Sequence, residues 1–191
     1  MCIRDRLSNT SRTSVREALR RLAADGLVQV AANRRSYVRR YDESEIDSLF
    51  EVRARLESYA AELACRHITS AEIQQLVSLA DRIDGLGHSV SSGDLNAFMD
   101  INTAFHQIIV QAARSTALLV AVTPSIAVPV VLLKHFRWRK PVNLVQSNRQ
   151  HREIITALRQ RNAPWASACM AAHINSTRPL LSEGSELAPT E

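Results

Sequence analysis

SRTSVREALRRLAADGLV, residues 11–28, reads as a helix that stops at a glycine and runs at once into a strand. Val15, Ala18, Leu19 and Leu22 fall at i, i+3, i+4 and i+7, which makes one apolar stripe on a helix from Thr13 to Ala24. Thr13 or Ser14 suits its N-cap, and Ser14-x-x-Glu17 fits a capping box. Gly26 suits the position that ends it. Arg12, Arg16 and Arg20 stand four apart, so they share a face that points away from the stripe. Beyond the glycine, residues 27–30 and 36–39 are two short strand-like runs around Ala31 to Arg35. They predict a β-hairpin with Asn33 in its turn and Arg34 and Arg35 at its tip. A helix with a buried stripe and an arginine face, followed by a basic hairpin, has the outline of a winged helix-turn-helix. Such a helix enters the major groove, where arginine forks onto guanine or phosphate. The plainer reading is a solvated amphipathic helix in which Glu17 pairs with Arg20 and Arg21.

Charge favours the first reading. The 191-residue chain carries a net +5, but residues 1–40 hold 10 Arg against 3 acids. The remainder holds 14 Lys and Arg against 16 acids, so the basic character belongs to one small segment. Three cysteines without CxxC spacing (Cys2, Cys65, Cys169) argue against a disulfide framework and for a cytoplasmic protein. The N-terminus lacks the apolar core of a secretory signal. Ser115 to Leu133 is uncharged and long, but Pro124 and Pro129 interrupt it. The expectation is a buried helix broken near Pro124, and no membrane partner.

From Ser44 onward the apolar spacing is helical. Ile46, Leu49, Phe50, Arg53, Leu56, Ala60 and Leu63 mark a long first helix ending near Cys65. Thr69-x-x-Glu72 opens a second helix to about Leu86, and Asp94 caps a third to about Ala113. The apolar run is the fourth. Pro141 opens a fifth to about Arg161, and a sixth starts at Pro164 and closes before Pro179. The fold expected is mainly α. A partial winged helix-turn-helix spans 1–41, an all-α bundle of six or seven helices spans 44–180, and a disordered tail spans 181–191.

Three of the six histidines, His106, His151 and His173, lie inside three different predicted helices beside apolar residues. Asn102 stands one turn before His106 on the same face. Imidazoles converging from three helices can bind zinc or another divalent ion. Spacing alone does not establish convergence, and a lone helical histidine is more often a partly buried polar residue.

SRTSVREALRRLAADGLV resembles the recognition helix of GntR-family transcription regulators. The resemblance implies that Ser11, Arg12, Thr13 and Arg16 contact operator DNA, and that Arg34 and Arg35 form the wing tip. The glycines usual near Asn33 and Arg35 are missing. That family also places two further helices before this point, whereas ten residues stand here, which implies a truncated or mis-started N-terminus. LFEVRARLESYAAELA, NTAFHQIIVQAA, HREIITALRQRN and the AxxxMxxHI run ending at Ile174 resemble the FCD ligand-binding domain of the FadR-type branch. That resemblance implies a divalent metal, zinc or nickel, at Asn102, His106, His151 and His173, with Asn102 standing where Asp is usual. It also implies a small organic acid effector held by the metal and by Arg53.

The function expected is a homodimeric, DNA-binding regulator that responds to a carboxylate. Two alternatives come from other classes: a helical metal- or ligand-binding dimerisation module with a nonfunctional head, and a metal-dependent small-molecule enzyme. No HExxH, GxSxG, P-loop or GxGxxG occurs, so the expectation is that the chain is not an enzyme.

Overall fold

The computed structural model describes residues 11–24, 26–31, 35–39, 41–86, 92–135 and 143–178. The expectations for Cys2, Asn33, Arg34, Pro141, the side chain of Arg12, and the tail 181–191 lie outside what it describes. The chain divides into two compact units, Met1–Tyr41 and Asp42–Glu191.

In the first unit, α1 (Arg12–Ala24) is capped by Ser11 rather than by Thr13 or Ser14. The Ser11 Oγ accepts the Ser14 N–H at 3.1 Å and its carbonyl accepts the Val15 N–H at 3.1 Å. Ser14 therefore lies inside the helix, and Glu17 faces Arg20 at 4.0 Å instead of closing a capping box. At the other end Gly26 takes φ 80°. Its N–H reaches the Ala23 carbonyl and the Leu27 N–H reaches the Leu22 carbonyl, the paired bonds of a Schellman stop. β1 (Val28–Val30) and β2 (Ser36–Val38) pair antiparallel, with Val28 opposite Val38 and Val30 opposite Ser36. Tyr41, buried, donates its hydroxyl to the Gly26 carbonyl at 2.5 Å and so ties the exit of the hairpin to the helix–strand corner. The apolar stripe of α1 is only half covered: Val15 and Leu19 are half-buried, Ala18 is exposed and Leu22 is 38% exposed. Among the described residues of this unit only the hairpin is available to cover it, and two three-residue strands offer little area.

The second unit is all-α. It comprises α2 (Glu43–His67), α3 (Ser70–Asp84), α4 (Ser92–Ala112), α5 (Thr116–His135), α6 (Leu144–Arg159) and α7 (Ala163–Ser176). α2 runs through the middle against α4, α5, α6 and α7, while α3 packs on α4 and α6. Capping boxes at Asp42/Glu45 and Thr69/Glu72 start α2 and α3, the second as its spacing predicts. Arg161, at φ 55°, donates to the Cys65 and Ile68 carbonyls at 2.9 and 2.6 Å and so satisfies the end of α2 from the α6–α7 turn. Arg178 Nε bonds Asp47 at 2.6 Å and ties the end of α7 to the start of α2. A second clamp joins α3 to α6. Asn148 donates to the Ala80 carbonyl at 2.9 Å and to Asp84 at 2.5 Å, and Arg152 pairs with Asp81 and Asp84.

Two expectations are corrected. α4 begins at Ser92, so residue 94 lies in its first turn rather than before it. α6 begins after Asn143, whose side chain accepts the Gln146 N–H. α5 continues through Pro124 and Pro129. A proline in a helix interior costs about 3 kcal/mol, but Leu118, Val122 and Ile126 bury one face of α5 against Ala60 and Val110. The Thr123 and Ser125 hydroxyls donate to the Leu119 and Val122 carbonyls beside the break in the ladder. α5 is also not buried all round, because Val120 is 69% exposed. None of the described helices is long and apolar enough to cross a membrane.

Thr69→Ala removes one half of the α3 capping box. It is expected to lower stability by about 1 kcal/mol, read as a lower urea midpoint with an unchanged slope. An unchanged midpoint would show that the cap contributes nothing.

Candidate functional site

The face of α2 that enters the bundle reads Ile46, Phe50, Arg53, Glu57, Ala60, Ala61 and Ala64, all of them buried. Two charged residues therefore sit in the middle of an apolar stripe. A buried ion costs several kcal/mol unless it is paired. Arg53 and Glu57 stand four apart and pair directly: Arg53 Nε donates to Glu57 Oε1 at 2.5 Å, with side-chain exposures of 2% and 0%. The other Glu57 oxygen contacts His106 Nδ1 on α4. Burial pushes the Glu57 carboxyl up, but Arg53 and His106 outweigh it and hold the group at about 2.

His106, His151 and His173 arrive from α4, α6 and α7, each between apolar neighbours, and each is 1% exposed or less. Their ligand atoms all lie within 4.8 Å of one another. His173 Nε2 is 3.2 Å from His106 Nε2 and 3.2 Å from His151 Nε2. The hydrogen-bond partners of the far nitrogens set the tautomers. A carboxylate and an amide oxygen only accept hydrogen bonds. His106 Nδ1 therefore carries its proton toward Glu57, and His173 Nδ1 toward Gln150 Oε1 at 3.2 Å. When both rings are neutral, their Nε2 atoms are bare lone pairs facing each other. A proton between them would relieve the repulsion, but burial first, and then the neighbouring His151, His106 and Arg53, push the His173 pKa well below its ordinary value. Burial, His106 and Arg53 do the same to His151. A divalent cation relieves the repulsion without a proton, and tetrahedral Zn–N bonds of about 2.0–2.1 Å place nitrogens roughly 3.3 Å apart. Three neutral imidazoles, two with acceptors on the far nitrogen, fit such an ion. Phe105 stacks on His151 with ring centroids 4.1 Å apart and holds the third ligand in place by packing alone.

Of the four metal positions inferred from resemblance, the structure brings the three histidines together. Asn102 is buried one turn before His106 on the same face of α4. Arg53 is buried beside the cluster, linked to it through Glu57. On α1, Ser11, Thr13 and Arg16 are exposed, and Arg35 is exposed at the start of β2. Glu57, Gln150 and Ser147 do not emerge from the motif reading. For Glu57 a signal exists: a charged i,i+4 pair embedded in an apolar helical stripe must be satisfied inside the fold. Ser147 Oγ lies one turn before His151, buried and without a partner among the described residues, as is His151 Nδ1. Cys65 is a buried free thiol and Cys169 a half-buried one.

Comparison with known proteins identifies the family. Residues 48–176 match the FCD domain, and residues 6–38 match the bacterial regulatory proteins of the gntR family. The Nta operon transcriptional regulator of Aminobacter aminovorans is 30% identical over 86% of this chain and 74% of its own length. The HTH-type transcriptional repressor RspR of Escherichia coli (strain K12) is 27% identical over 93% of this chain and 78% of its own length. Among solved structures, E. coli McbR/YncC superposes with a TM-score of 0.72 at 20% identity, covering 88% of this chain and 83% of that one, a likeness of fold. The chain belongs to the GntR family of bacterial transcription regulators, in the branch that carries an FCD domain. It is a regulator and not an enzyme, which removes the alternative of a metal-dependent small-molecule enzyme.

His151 and His173 favour the neutral form in the fold more than in the unfolded chain. Groups with a depressed pKa give stability that is present above the unfolded value, about 6.5, and lost as pH falls below it. In the presence of chelator the urea midpoint is therefore expected to fall between pH 7.5 and 5.5, and to fall less in His173→Gln. A wild-type midpoint that is flat across this range contradicts the buried neutral cluster.

Proposed function

We propose that the chain is a DNA-binding transcription regulator whose helical domain binds a small organic acid through a divalent metal, zinc or nickel, at His106, His151 and His173. The observation that carries this reading is the meeting of three Nε2 atoms from three helices in a buried site whose outer nitrogens are held by Glu57 and Gln150. Imidazole suits zinc and nickel. Three protein ligands leave open positions for a carboxylate, with Asn102 and Arg53 as the further polar groups at the site. Asn102 supplies a neutral amide oxygen where a carboxylate is usual, so metal affinity rests on the histidines.

Residues 1–41 are the DNA reader in this proposal. Ser11, Arg12, Thr13 and Arg16 meet the operator in the major groove, and Arg34 and Arg35 meet it at the wing. Residues 44–180 are the sensor. The protein works in the cytoplasm as a homodimer, because a two-fold operator is read by two heads. The acid shifts the bundle between two arrangements through its differential affinity for them.

Calorimetric titration of zinc and nickel tests the metal. Wild type is expected to bind one ion per chain, and His151→Ala to lose that binding, whereas equal binding in both sinks the site. On the DNA side, binding is expected to weaken steeply with salt, and Arg16→Ala to weaken it further. A sequence-selective complex unaffected by Arg16→Ala would remove α1 as the reading element.

A further inference from the structure

We propose that Glu57 is the positioning residue that lets a divalent metal and the Arg53 guanidinium share one buried site. This rests on the reading that the three imidazoles hold a metal. The geometry is a chain of three groups: Arg53 Nε on one Glu57 oxygen at 2.5 Å, and His106 Nδ1 on the other. All three side chains are 2% exposed or less.

Two consequences follow from this placement. The first concerns orientation. A carboxylate on Nδ1 fixes His106 as the Nδ1–H tautomer and turns its Nε2 lone pair toward His173. Among the described residues His151 Nδ1 has no such partner and the ring stacks on Phe105, so the orientation of the cluster depends on Glu57 and Gln150. The second concerns charge. Among the described buried residues Glu57 is the one acid, and Arg53 is the one arginine. Asn102 adds no charge. Without Glu57 the guanidinium and a divalent cation would face each other across a desolvated site with nothing to offset them. With Glu57 between them, Nε is committed to its carboxylate, and the guanidinium's remaining donors are its two Nη groups. Those donors are suited to a carboxylate ligand.

The test uses the full chain. In metal-free wild type, nitrogen NMR of His106 is expected to show the Nδ1–H tautomer with Nε2 bare. This measurement does not depend on any variant folding. Zinc binding is then measured in wild type, Glu57→Gln and the double variant Arg53→Met with Glu57→Gln. Glu57→Gln is expected to lower zinc affinity by about 10–100-fold. The double variant is expected to recover part of that loss, because the repelling charge has gone, whereas a merely structural role predicts that it is no better than the single one. The cobalt(II) spectrum of Glu57→Gln is expected to differ from wild type, since one amide oxygen replaces the two carboxylate oxygens that Arg53 and His106 occupy separately. A His106 found as Nε2–H, or a Glu57→Gln protein that binds zinc like wild type, overturns the proposal. If wild type itself binds no zinc, the metal reading fails, while the tautomer of His106 still decides whether Glu57 orients it.

Discussion

The contact on which the helical unit depends is the buried carboxylate of Glu57, held between Arg53 and His106. Desolvating a lone carboxylate or guanidinium is prohibitive, so each group dictates where the other must be. Arg53 and Glu57 are matched within α2, but the second Glu57 oxygen has to be met from another helix. That requirement fixes the register of α4 against α2. It brings His106 to the bundle axis, where α6 and α7 deliver His151 and His173. An apolar stripe alone would tolerate sliding by a turn at modest cost. A charged group with one acceptor to fill does not.

Much of this arrangement is legible in the sequence because it obeys local rules. Thr69 and Glu72 form the capping box that their spacing predicts, Gly26 stops α1, and Asn162 with Pro164 starts α7. The histidines are visible as polar residues in apolar helical contexts. Their convergence is not visible, because it depends on contacts spanning up to 67 residues that no helical period encodes. The misreadings have a common cause. A proline is a breaker by local rule, and α5 overrides that rule by packing Leu118, Val122 and Ile126 on α2. The capping role of Ser11 is hidden because Thr13 and Ser14 satisfy the same composition rule two and three residues later. Glu57 went unseen because charge on a helix is usually read as a solvated face, and only the apolar residues on either side of it in the stripe argue otherwise.

The two units differ in how their charge is used. In the body the described buried charges are paired with each other, so little field leaves the core. In the head Arg16, Arg20 and Arg35 are exposed. Exposed arginines add little to stability, since surface pairs such as Arg20–Glu17 at 4.0 Å contribute well under about 1 kcal/mol. In the proposed reading their value lies in the potential they project toward a polyanion.

A regulator also needs its sensor to move something. α2 carries Arg53 eleven and Glu57 fifteen residues beyond its cap at Asp42, roughly 16 and 22 Å at 1.5 Å per residue. His173 lies five residues before Arg178, which grips Asp47 in the second turn of α2. The site is thus fastened to the start of α2 twice, once along the helix itself and once through α7. Helices in a close-packed bundle shift as rods rather than bend. In the proposed reading, a ligand that draws His173 and His106 together pulls on the start of α2 by both routes, and its cap Asp42 follows directly on Tyr41, the last residue of the head.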